Sequence, residues 1–186
     1  MTEELEGYLR QIDAVTQDAH ALVAGLSDAQ FGWRPGTGRW SVAECLDHLN
    51  RSIALTLPAF DRSIADARAR ELRGRGPFRY GWFAKWLVRD MEPPARRRYR
   101  TVNRLVPGSD GRADAVHQEF VALREALARR VRDADGLDLK RAKVQSPVTR
   151  LLRMPLGAYF AMILAHDRRH LWQANQVRAA AGFPRV

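Results

Sequence analysis

The stretch "LAHDRRHLWQ", Leu164 to Gln173, sets His166 and His170 four positions apart in an otherwise apolar run, with Asp167, Arg168 and Arg169 between them. On an α-helix, residues four apart lie one above the other on the same face, so both rings can reach a single point in space. Such a row suits a shared ligand. It equally suits two rings that each hydrogen-bond within a polar core, and only a third ligand from another element would separate the two cases.

Outward from this row the chain reads as helical. The last helix is expected to start at Pro155, a residue suited to a first turn, and to run past Gln173 to about Ala180. Near the N-terminus, Leu5, Tyr8, Leu9, Ile12, Val15, Ala19, Leu22, Val23 and Leu26 recur at three- and four-residue steps, the signature of a long amphipathic helix ending near Gly25. After the turn-rich "RPGTGRW", Ser41 with Glu44 three positions on forms a capping box, with Trp40 and Cys45 placed as a hydrophobic staple. A helix therefore begins at Ser41 and continues through Leu46, Leu49, Ile53, Leu57, Phe60 and Ile64, with a kink expected at Pro58. Asp114 is a candidate cap for a further helix carrying Val116, Phe120, Leu123 and Leu127 on one stripe and ending near "DADG". Between about Arg73 and Asp110, "GRGPF", "EPPA" and "VPGSDG" punctuate a long crossover, in which "FRYGWFAKW" can form a helical turn or two. No repeats and no strand-like alternation of useful length are visible. Four long helices with one long connection give an all-α, four-helix bundle over residues 1–186 as a single domain.

Composition narrows the functional classes. The N-terminus is acidic and amphipathic, and no stretch approaches the ~20 apolar residues of a membrane span, so a soluble cytoplasmic protein with no membrane partner is expected. Cys45 is the only cysteine, which excludes an intrachain disulfide and a cysteine-based zinc cluster. The formal charge of +10 is concentrated: Arg68 to Arg104 holds twelve basic residues against Glu71, Asp90 and Glu92. Arginine outnumbers lysine 28 to 3 across the chain, a skew that genome composition explains more readily than phosphate contacts. The basic region is either a patch for polyanions or a solvated loop with Arg–carboxylate pairs, and no specific nucleic-acid partner is expected. The aromatic residues Tyr80, Trp82, Phe83 and Trp86 within it suggest either a homodimer contact or a cover for one end of the bundle.

Bundles build metal sites from side chains on facing helices, and His48 offers a third imidazole. It follows the Ser41 cap by seven residues and shares a face with Glu44, Cys45 and Ser52. His20 and His117 fit structural or exposed positions better.

Two segments carry a family resemblance. "RWSVAECLDHLN", Arg39 to Asn50, pairs a Trp-Ser helix start with a His-Leu seven residues later, and "HDRRHLWQANQVRAAAGFP", His166 to Pro184, gives His-x-x-x-His-x-x-Gln followed by a Gly-Phe-Pro tail. Their order and separation resemble the signature segments of the DinB/YfiT-like superfamily, while the Arg-rich crossover matches nothing in it. The resemblance implies a four-helix bundle in which His48, His166 and His170 hold a divalent metal. Three neutral imidazoles suit zinc, nickel or iron and leave a position for water or substrate. Gln173 and Glu44 are candidates to orient a ligand imidazole or a bound water, Glu44 equally to serve only as the cap. Asp47 and Asp167, offset by about 100° from their histidine neighbours, are expected to face solvent. Cys45 reads as a small core residue that lies one turn from His48.

Proteins that this chain resembles include S-transferases using low-molecular-weight thiols such as bacillithiol or mycothiol, and a maleylpyruvate isomerase. The leading expectation is a metal-dependent enzyme, hydrolase or thiol S-transferase, acting on a small electrophilic substrate in a pocket lined by the crossover and the N-terminal helix, with a low-molecular-weight thiol as a cosubstrate of the transferase reading. The rival is a non-catalytic stress-response protein with a structural metal and an acidic partner.

Overall fold

A computed structural model describes residues 1–95, 97, 101–108 and 112–185. Of the basic crossover, Arg96, Arg98 and Arg100 lie outside the described residues, as do the last three positions of "VPGSDG".

Four long helices form the body: α1 (Glu3–Val23), α3 (Val42–Ala69), α5 (Ala113–Asp133) and α6 (Leu156–Arg178). A single-turn α2 (Asp28–Phe31) and a ten-residue α4 (Trp82–Met91) lie in the connections. The extensive contacts join α1 to α5 and α6, and α3 to α5 and α6. The helices therefore run round the bundle in the order α1, α5, α3, α6, with α5 and α6 facing each other across its centre. Helix α4 packs on the outside of α6.

The expected stripes form the core. Leu5, Tyr8, Ile12, Val15, Ala19 and Leu22 of α1 are all buried, as are Val116, Phe120 and Leu127 of α5. Ser41 closes the capping box at the head of α3: its Oγ accepts from the Glu44 amide at 3.1 Å, and its own amide donates to Glu44 Oε2 at 2.9 Å. Helix α3 then continues through Pro58 to Ala69, five residues beyond the expected stripe.

Several elements differ from the sequence reading. Arg112 occupies the N-cap of α5 and Asp114 lies in its first turn; Asp28 of α2 reaches across to accept from the Ala113 amide at 3.3 Å. Pro155 is the N-cap of α6 and not its first helical residue. The segment between α5 and α6 forms a small antiparallel hairpin, β1 (Lys143–Gln145) and β2 (Arg153–Pro155), in the register Val144↔Met154. Three residues per strand are too few for a period-2 pattern to show. The aromatic run supplies the first half of α4, which continues to Met91, with Trp82, Phe83 and Trp86 exposed and Tyr80 half-buried.

Candidate metal centre

Helix α6 is packed by α1, α3, α4 and the hairpin, so it is buried around most of its circumference. That is why polar residues in "HDRRHLWQ" enter the interior: Asp167, Arg169 and His170 are buried, while His166 keeps partial access to solvent. His48, from the second turn of α3, is buried opposite them. The three rings form one cluster, with centroids 4.6 Å apart for His48–His170 and His166–His170, and 5.1 Å apart for His48–His166.

The outward nitrogens fix how the rings are presented. His48 Nδ1 lies 2.8 Å from the carbonyl oxygen of Leu105. A carbonyl can only accept, so Nδ1 carries the proton and Nε2 holds a lone pair. His170 Nδ1 lies 3.0 Å from Gln173 Oε1, and the same reasoning frees His170 Nε2. His48 Nε2 and His166 Nε2 approach to 3.2 Å. Two nitrogens at about 2.0–2.1 Å from one tetrahedral ion would stand about 3.4 Å apart, so this spacing fits shared coordination. One ligand nitrogen from each of the three histidines lies within 4.8 Å of the others, a group that could hold a metal ion.

Electrostatics keep all three rings neutral and ready to ligate. Burial holds His48 below the ordinary histidine value and outweighs its bond to Leu105. Burial, reinforced by the neighbouring histidines and by Arg124 and Arg169, sets His166 well below it. Burial brings His170 down to about 3, with His48 and Arg169 adding to the effect.

Trp40 walls the cluster, its ring 4.9 Å from that of His48 and stacked on His170 at 5.6 Å. The indole thus packs against two of the three rings in addition to its expected place at the head of α3. The crossover closes another side. Leu105, in the 3₁₀ turn Asn103–Leu105, supplies the carbonyl to His48, Asp47 accepts from the Gly108 amide and from Arg51 Nε, both at 2.7 Å, and Arg169 donates to the carbonyls of Asp90, at 3.0 Å, and Arg97.

The remaining candidates are placed as follows. Gln173 bonds His170 directly. Glu44 is held by Ser41 and, bidentately, by Arg34 Nε and Nη2, both at 2.7 Å. Cys45 is fully buried, with its thiol pushed up by burial and by Glu44, which disfavours the thiolate a metal would require. Asp167 corrects the expectation of a solvent-facing charge: it is buried against Arg124, whose Nε lies 3.2 Å from Oδ2 and whose Nη2 bonds Oδ1. Helices α5 and α6 face each other across the bundle, so this position of α6 looks into the centre. Sequence reading missed Arg124, although its place in the row Phe120, Arg124, Leu127 was a signal. His20 and His117 pair with each other across α1 and α5, their rings 5.4 Å apart.

Residues 11–174 match the DinB superfamily. The chain belongs to that superfamily. No curated protein and no solved structure matches it. Membership of the DinB superfamily, the helical bundle and the buried three-histidine cluster agree with one another, and among the described residues no helix is long and apolar enough to cross a membrane.

Proposed function

We propose that His48, His166 and His170 bind one divalent metal, zinc, nickel or iron, and that this DinB-superfamily chain is a metal-dependent enzyme, a hydrolase or low-molecular-weight-thiol S-transferase acting on a small electrophile. The observation that carries the reading is the convergence of three imidazoles, two with their tautomers set by Leu105 and Gln173. Three protein ligands leave a coordination position open, as catalytic sites do. When bound, the metal supplies Lewis acidity that lowers the pKa of water or of an incoming thiol.

The chain's own residues do the rest. Leu105 and Gln173 hold the imidazole protons on the outward Nδ1 atoms, Trp40 excludes water from the His48 and His170 side, and the partly exposed His166 marks the approach for substrate. The donor set holds no carboxylate or thiolate, and the buried Arg169 adds positive charge beside His166 and His170. Such a site favours an anionic fourth ligand, the conjugate base of water or of a thiol. A concave surface of about 350 Å³ between α4 and α6, with Ala84, Val88, Ala158 and Ala161 in its lining, lies along the same helix as His166. Its walls are the crossover and α6, whereas the sequence reading looked to the crossover and the N-terminal helix.

A cobalt-substituted sample tests the open position. Added small thiol is expected to change its spectrum, with the response intact in Cys45→Ala. Thiolate absorption present without added thiol and lost in Cys45→Ala would mean a closed structural site. The second reading, a non-catalytic stress-response protein with an acidic partner, is favoured by the exposed Arg75, Arg79, Lys85, Arg89 and Arg104 of the crossover; absence of turnover after metal loading would support it. A second copy of the chain covers the exposed α4 aromatics, a surface that includes Phe83 and Trp86, stacked on each other at 5.9 Å within the chain. Light scattering should report a dimer that Trp82→Ser with Trp86→Ser dissociates, and a strictly monomeric wild type at high concentration would refute it.

A further inference from the structure

A second concave surface lies at the other end of α3. Arg70, the C-cap of that helix, is 22 positions after His48, or about 33 Å along the axis. The concavity, open to solvent, has a volume of about 470 Å³ and is lined by Arg70, Leu72, Asp138, Lys140, Arg141 and Lys143. It holds two of the three lysines in a chain with 28 arginines.

The backbone here is built, not loose. The Asp138 amide donates to the Leu72 carbonyl at 2.8 Å, and the Ala142 amide to the Asp138 carbonyl at 2.9 Å. Asp138 Oδ1 accepts from the amides of Lys140 and Arg141, both at 3.0 Å. The one carboxylate in the lining is thus engaged in shaping the turn that presents the two cations.

The charge is only partly compensated, with four cations against Asp138 in the lining. Several arginines have acidic partners, among them Arg34 with Glu44, Arg124 with Asp167, Arg130 with Asp61 and Arg168 with Glu92. Among the described residues Lys140, Arg141 and Lys143 are in no ion pair within 4 Å, and Arg70 has an exposed one to Asp66. Lys143, at the start of β1, is half-buried, and burial together with Arg153 and Lys140 disfavours its charged form, with Asp138 acting in the opposite sense. Like charges held together around a concavity bind an anion more tightly than the same charges dispersed. Lysine ammoniums are compact donors suited to phosphate oxygens. Leu72 is the sole apolar residue of the lining, which offers no aromatic platform for a base.

We propose that this surface binds a small ligand through two or more adjacent phosphate groups. A single shallow concavity with four cations grouped at its rim favours a free oligophosphate over duplex nucleic acid, which would need a stripe of cations or a helix presented to a groove.

Calorimetric titration of the metal-loaded full chain with inorganic pyrophosphate at low salt tests this. One saturable site per chain is expected, weakened about tenfold or more in Lys140→Gln/Lys143→Gln and unchanged in Lys85→Gln, which removes the third lysine from α4. Lys140 is exposed, so Lys140→Gln alone keeps the test valid should the double variant not fold, with a smaller loss expected. No saturable binding, or an equal loss in Lys85→Gln, would overturn the proposal. So would binding that survives in the double variant and disappears in His166→Ala, which would place the anion at the histidines. A short DNA duplex that binds more tightly than pyrophosphate and loses that binding in Lys140→Gln/Lys143→Gln would instead identify nucleic acid as the occupant and overturn the proposal.

Discussion

Replacing Asp167 by Asn removes the anion from the Arg124–Asp167 pair while keeping side-chain shape. Both side chains are buried, about 1% and 2% exposed, so water cannot take the place of the carboxylate. The guanidinium would be left with the side-chain Oδ1 of Asn50, 3.5 Å from Nη1, and the face of Phe120, 3.7 Å from its carbon. Two unit charges at about 4 Å and an effective dielectric near 20 attract by about 4 kcal/mol, and breaking a buried pair by removing one partner costs about 3–5 kcal/mol. Against a total stability of about 5–15 kcal/mol, that is a large fraction. Urea unfolding in the presence of a chelator, which removes any metal contribution, is the assay. With an m-value of about 2 kcal/mol/M, the midpoint should fall by about 1.5–2.5 M. The apolar double variant Arg124→Met/Asp167→Leu should recover most of the loss, because removing both charges removes the desolvation cost as well. A loss below about 1 kcal/mol for Asp167→Asn, the value of an exposed pair, would refute the claim that this charge is uncompensated without its partner.

Gln173→Leu removes the acceptor from His170 Nδ1 and should weaken metal affinity by about 10–100-fold while leaving full occupancy at saturating metal, measured by competition with a chelating dye. Gly157→Ala would place a Cβ 1.9 Å from Tyr80 Oη and 3.0 Å from Glu4 Oε1, and should destabilise by about 1–3 kcal/mol in thermal or urea unfolding. Tyr80→Phe should relieve part of that loss, since it removes the clashing oxygen.

The four long helices could be read from spacing because each buries one stripe, and the start of α3 because Ser41 and Glu44 announce it. The ring order α1, α5, α3, α6 could not, since it depends on how connections cross the bundle. Asp167 shows the same limit: its offset from His166 suggests solvent only if the far side of α6 is free, and α5 stands there. The histidine cluster was readable as a row on α6 plus a family resemblance for His48. The Leu105 carbonyl that orients His48 is backbone from 57 positions away, and no side-chain pattern encodes it. Trp40 was read for its place beside the cap, whereas its contacts with His48 and His170 arise only when α3 and α6 meet.

Metal content per chain in purified wild type and in single histidine variants tests the central claim most directly. His48→Ala, His166→Ala and His170→Ala should each abolish stoichiometric metal by elemental analysis, whereas His20→Ala and His117→Ala should retain it. His20 and His117 are the right controls because they form the other close imidazole pair of the chain. Loss of metal in His117→Ala as complete as in His166→Ala, or full metal in His166→Ala, would contradict the assignment.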